Sequence, residues 1–156
     1  MRFSKDKTPI KSRIGVIFWQ GSGKRMQSSS FYMHFSPDEI FFARGIRGFS
    51  RESLSAYRDY IKNEDRAEEL LKILHEVKAK GYQIAEPKYK RVPREFDDDF
   101  VYVGLARYAS MFAYKMIEPN EILFSEKLVD YAYEIYEDLL PLQQWVYEMT
   151  LTVDNS

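Results

Sequence analysis

Apolar residues come in short strand-like runs in the first third of the chain and at helical spacing through much of the rest. Ile14-Gly15-Val16-Ile17-Phe18-Trp19 is a run of β-branched and aromatic residues and reads as a buried strand. Gln20 to Ser30 is polar, with Gly21, Gly23 and a serine run, and reads as a flexible connection. Phe31-Tyr32-Met33-His34-Phe35 and Glu39-Ile40-Phe41-Phe42-Ala43-Arg44 flank Ser36-Pro37-Asp38, which predicts a β-hairpin. Along its first strand Tyr32 and His34 share one face, opposite Phe31, Met33 and Phe35. If the phenylalanine face is core, the tyrosine and the imidazole line a cleft or meet solvent.

Gly45 and Gly48 close the sheet segment, and Ser50 is an N-cap with Glu52 in the first turn. Leu54, Tyr57 and Ile61 at helical spacing predict a helix to about residue 62. A second is expected to start at Asp65, with Glu68 as a capping-box variant, Leu70, Leu71, Leu74 and Val77 as its apolar stripe, and Gly81 as its stop. Residues 82–100 are irregular, with Pro87, Pro93 and Asp97-Asp98-Asp99, and a short helix is expected near 99–106. Tyr108 to Ile117 reads as a strand. Ser125 caps a long helix carrying Leu128, Tyr131, Ala132, Ile135 and Leu139, and Pro141 should kink it before Leu142, Trp145, Val146 and Met149. No repeat or linker divides residues 1–156, so one domain is expected. Strands come mostly early and helices mostly late. Together with the hairpin, this predicts an α+β fold, an antiparallel sheet with helices packed mainly on one face.

Composition removes several chemistries. The chain has no cysteine, which excludes disulfides, thiolate catalysis and cysteine-ligated metals. With two histidines, His34 and His75, a multi-histidine metal site within one chain is not expected. The three aspartates lack the alternate spacing and glycine turn of a cation loop and read as a solvated helix N-terminus. No metal and no cofactor is called for. The start of the chain lacks an apolar signal segment and no run spans a membrane, so a cytoplasmic location is expected. A net charge of −1 argues against a general nucleic-acid binder. Gly21-Ser22-Gly23-Lys24 is not a phosphate loop, because Phe18 stands where its first glycine belongs and Arg25 where a hydroxyl residue belongs.

Charge is nevertheless segregated. Arg2, Lys5, Lys7 and Lys11 crowd the first segment, and Lys88, Lys90, Arg91 and Arg94 surround Pro93. Residues 120–148 are acidic, with Glu121, Glu126, Asp130, Glu134, Glu137, Asp138 and Glu148 against Lys127 alone. The bland reading is two solvated surfaces that pair with each other. The sharper one is an anion site built from Arg2, Lys5, Lys7, Lys11, Lys90 and Arg91, with Tyr32 and His34 orienting the ligand. His34 is the candidate catalytic residue, since imidazole exchanges its proton near neutral pH.

Arg2-Phe3-Ser4-Lys5-Asp6-Lys7-Thr8-Pro9-Ile10-Lys11 resembles the signature Arg-Phe-Ser-Lys-Asp-Lys-Thr-Pro-Tyr-Lys of a conserved-hypothetical family, catalogued as a domain of unknown function and sometimes labelled phage-related. The likeness continues in Phe31 to Pro37, at Gly45, and in Lys90 to Asp97, where Glu95 replaces a family glycine. Residues 108–146 are similar to the family's last strand and helix. The resemblance covers nearly the whole chain and matches the larger, C-terminal part of the family domain, which usually has a further helical region and a strand in front. It implies an α+β fold and supplies no catalytic residue. A sheet lacking that leading strand would keep an open edge, so a homo-oligomer is expected. Two classes of function stay open: a domain for a small phosphate- or carboxylate-bearing ligand, with or without catalysis, and a protein-interaction or structural module.

Overall fold

A computed structural model describes residues 13–19, 21, 28–119 and 125–153. The cationic stretch Arg2 to Lys11, most of the glycine-serine connection after Trp19, and Glu121 lie outside the described residues. The strands are β1 (Ile14–Trp19), β2 (Ser30–Phe35), β3 (Ile40–Ile46), β4 (Gln83–Ile84) and β5 (Met111–Ile117). They form one antiparallel sheet in the order β1-β2-β3-β5-β4. Helices α1 (Arg51–Ile61), α2 (Glu64–Ala79), α3 (Lys127–Asp138) and α4 (Leu140–Thr150) complete the expected α+β architecture.

Register sorts the side chains. Met33 lies opposite Phe42 and Phe31 opposite Arg44, and these residues face the helices. Ser30, Tyr32 and His34 lie opposite Gly45, Ala43 and Phe41 on the other face. The Pro37-Asp38 turn fixes this pairing. Ser36 N–H donates to the Glu39 carbonyl at 2.9 Å, and the Ser36 hydroxyl accepts from Glu39 N–H at 3.1 Å. Proline's negative φ excludes the mirror-image hairpin turns, and no residue other than glycine has a positive φ among those described.

The helices start where side chains can satisfy their first N–H groups. Ser50 Oγ accepts from Ser53 N–H at 3.1 Å. The second helix begins earlier than its sequence implied, because Asn63, with an extended backbone, accepts from Arg66 N–H at 3.2 Å. Glu64 and Asp65 then stand in the first turn, where carboxylates meet the positive end of the dipole. Gly81 ends it with φ +95°, the left-handed stop expected. The expected long helix is two: the chain breaks at Leu139, and Pro141 sits in the first turn of α4, where its missing N–H breaks no helical bond. The strand expected from Tyr108 begins only at Met111. The segment before it is a 3-10 turn (Val103–Arg107), and Ala109 instead accepts from Phe49 N–H at 2.9 Å. β4 falls in the stretch that read as irregular.

Helix α4 packs on β3, α1 and α2 and carries the centre of the core. Trp145 meets the edges of Tyr60 and Tyr57, with ring centroids 5.1 and 6.0 Å apart, and its indole N–H donates to the Arg66 carbonyl at 3.0 Å. Tyr57 is fully buried, and its hydroxyl donates to the Leu105 carbonyl at 2.7 Å. Burial pushes that phenol well above its ordinary pKa. Among the described residues no helix is long and apolar enough to cross a membrane.

Candidate functional site

The sheet face opposite the helices is not polar, as a solvated face would be. Phe41 and Tyr114 stack at 5.7 Å, and Phe112 extends the row at 5.8 Å from Tyr114. These rings form one wall of a cavity of about 610 Å³ whose other walls include Gly15, Ile17, Ser30, Tyr32 and Gly45. That size suits a small organic ligand, and an apolar wall with few polar groups is the usual make-up of such a site.

The cavity has two chemically distinct ends. Toward one, the lining holds Ser28, Ser30, Ser110, Arg47 and Glu86, the last two exposed. Arg47 and Ser110 flank the last β3–β5 pair, Ile46 with Met111, which is why two residues so far apart in sequence meet. Toward the other end stands Tyr32. It lies a two-residue step along the strand from Ser30, about 7 Å between their backbones.

Behind Tyr32 lies a relay through a buried imidazole. Tyr32 Oη is 3.1 Å from His34 Nδ1, and His34 Nε2 is 2.8 Å from Glu39 Oε1. The imidazole is only 5% exposed, which matters because it cannot itself meet a ligand freely. Phe41 stacks on it at 4.9 Å and 15°, so three contacts fix the ring. Glu39 reaches it by hairpin geometry: one residue before Ile40, it shares the His34 face and is a diagonal neighbour across the strands. Gly15 leaves the space over the phenol, since a Cβ there would stand 3.2 Å from Tyr32 Oη.

A family model described as conserved hypothetical protein (DUF2461) matches residues 1–145. The chain belongs to this family. No curated protein and no solved structure matches it significantly. In this DUF2461 chain four of the eight sequence-derived site residues are among those described. Tyr32 lines the cavity with His34 directly behind it, whereas Lys90 and Arg91 are exposed in the loop after β4 and are not among its lining residues. Arg2, Lys5, Lys7 and Lys11 lie outside the described residues. Glu39, Arg47, Ser30, Phe41 and Tyr114 were not foreseen. For Glu39 a signal existed: a two-residue turn puts it on the His34 face by alternation alone.

Proposed function

We propose that the chain binds a small ligand bearing a phosphate or carboxylate, held in the cavity on the sheet face opposite the helices. The observation that carries this reading is that Arg47, Ser30 and Ser110 line one aromatic-walled cavity, with Glu86 the single carboxylate among the described residues of its lining. A guanidinium and hydroxyls are the donors an oxyanion takes, and the rings of Phe41, Phe112 and Tyr114 would cover the ligand's apolar body. Inorganic phosphate is expected to raise the melting temperature. At a hundredfold excess over its dissociation constant the gain is about 2.7 kcal/mol, or roughly 5–10 °C for a domain of this size. Arg47→Glu removes that rise in differential scanning fluorimetry. Lys90→Glu, at a residue that does not line the cavity, keeps it. An Arg47→Glu protein that still responds fully to phosphate would end the reading.

A second reading, an interaction module that pairs with its own copy, is favoured by β1. Among the described residues this strand has a neighbour on one side only. Ile14 and Phe18, on its helix-side face, are 67% and 59% exposed, a poor arrangement for an isolated edge. A dimer is expected in sedimentation velocity, and Ile14→Lys with Phe18→Lys returns a monomer. A strict monomer at high concentration removes the idea.

A further inference from the structure

We propose that Tyr32 is a proton-abstracting residue, driven by His34 and Glu39, which act through it. The inference rests on the cavity holding a small ligand, and it adds what the ligand must carry. The Glu39 carboxylate only accepts hydrogen bonds, so in the neutral imidazole Nε2 bears the hydrogen and donates it to Oε1 at 2.8 Å. Nδ1 then presents its lone pair and accepts the Tyr32 O–H at 3.1 Å. With its hydrogen turned back toward His34, the phenol oxygen offers lone pairs to the cavity. This end of the site therefore calls for a donor on the ligand, unlike the Arg47 end, which calls for an acceptor. The fitting class is a hydroxyl-bearing carboxylate or phosphate ester.

The step balances without an outside reagent. The ligand O–H bond breaks, and its proton forms a new O–H bond at Tyr32. The original phenolic proton passes to His34 Nδ1. The ligand oxygen gains alkoxide character as its proton leaves, and the imidazolium is paired with the Glu39 carboxylate, so no free tyrosinate is formed. The logic is that of a nucleophile, base and orienting carboxylate, with a phenol in the first position. Stacking on Phe41 and burial hold the imidazole in the one orientation in which both bonds are made.

The relay can be read without knowing the substrate. Benzenesulfonyl fluoride should sulfonylate Tyr32: an O–S bond forms, the S–F bond breaks, fluoride leaves and the phenolic proton goes to Nδ1. Peptide mass spectrometry is expected to show Tyr32 labelled at least about 100-fold faster than N-acetyltyrosinamide in the same tube, the lower end of general-base assistance. Glu39→Gln, a change at a half-exposed hairpin residue, slows labelling while leaving the melting temperature near that of the parent. His34→Ala abolishes the acceleration, and added imidazole restores it, which a merely structural histidine would not allow. Tyr32 labelling no faster than the free amide overturns the proposal, as does a Glu39→Gln rate equal to the parent's. Phosphate binding with an unreactive Tyr32 ends the relay and leaves the anion site standing. A fast Tyr32 without any phosphate response does the reverse.

Discussion

Gly45→Ala is expected to destabilise the domain by about 4 kcal/mol or more, enough to lower the melting temperature by at least about 10 °C or to prevent accumulation of folded protein. Gly45 has φ +127°, where L side chains are rarely found. A Cβ there would stand 2.2 Å from the Met111 carbonyl oxygen and 2.8 Å from Phe112 Cα. Both are backbone atoms of β5, so no flexible side chain can swing aside. β3 is hydrogen-bonded on both sides, and moving it apart from β5 would disturb the centre of the sheet. Two other glycines separate the contributions. Gly81 has φ +95° but open space around it, so Gly81→Ala carries only conformational strain, about 1 kcal/mol. Gly48 has neither a positive φ nor a neighbour within 4 Å, and Gly48→Ala is expected within about 0.5 kcal/mol of the parent. Chemical unfolding of the three variants should rank them in that order. A Gly45→Ala midpoint matching that of Gly48→Ala would contradict the account.

How much of this was legible in sequence follows from which forces are local. The hairpin was readable because Pro37 and Asp38 restrict their own backbone and the flanking residues alternate in polarity. Ser50 and Gly81 were readable for the same reason, since each acts on its own helix end. Asp65 misled because Asn63 and Asp65 can each cap a helix, and the choice belongs to whichever has extended backbone. β4 was invisible: two residues carry no period, and only pairing with Tyr114 and Ala113 of β5 makes them a strand. The site divides the same way. Alternation placed Tyr32 and His34 together, while charge density drew attention to Lys90 and Arg91, which are exposed and are not among the residues lining the cavity. Arg47 and Ser110 meet only through the β3–β5 register, information that sequence spacing does not contain.

Arg44 shows the same blindness most sharply, and it carries the second large expectation. In sequence it ends a hairpin strand and looks like a surface cation. In the fold it is 1% exposed, on the helix side of the central strand. Its Nε donates to Gln143 Oε1 and its Nη1 to the Tyr136 carbonyl, and the Tyr136 ring lies 3.6 Å from the guanidinium carbon. Among the described residues no carboxylate comes within ion-pair distance of it. Burial lowers its pKa from the ordinary arginine value, with the Tyr136 contact opposing. The compensation for burying this cation comes from the end of α3. Tyr136 is in the last turn, its carbonyl is one of those the helix leaves without an internal partner, and the helix dipole presents partial negative charge there. Arg44 is thus a cap donated by the sheet to a helix about 90 residues later, at the junction where α3 gives way to α4. Arg44→Ala removes the donors to Gln143 Oε1 and to the Tyr136 carbonyl and opens a void, a loss of roughly 3–5 kcal/mol. The discriminating pair is Arg44→Lys and Arg44→Met. Lysine keeps the charge at the helix end and gives up one of the two bonds, so about 1–2 kcal/mol is expected to be lost; methionine keeps the volume and gives up both, so about 3 kcal/mol is lost. Urea midpoints at equal slope measure the difference directly. If methionine proves at least as stable as lysine, Arg44 is there to fill space, and the helix end it was argued to cap is satisfied by other means.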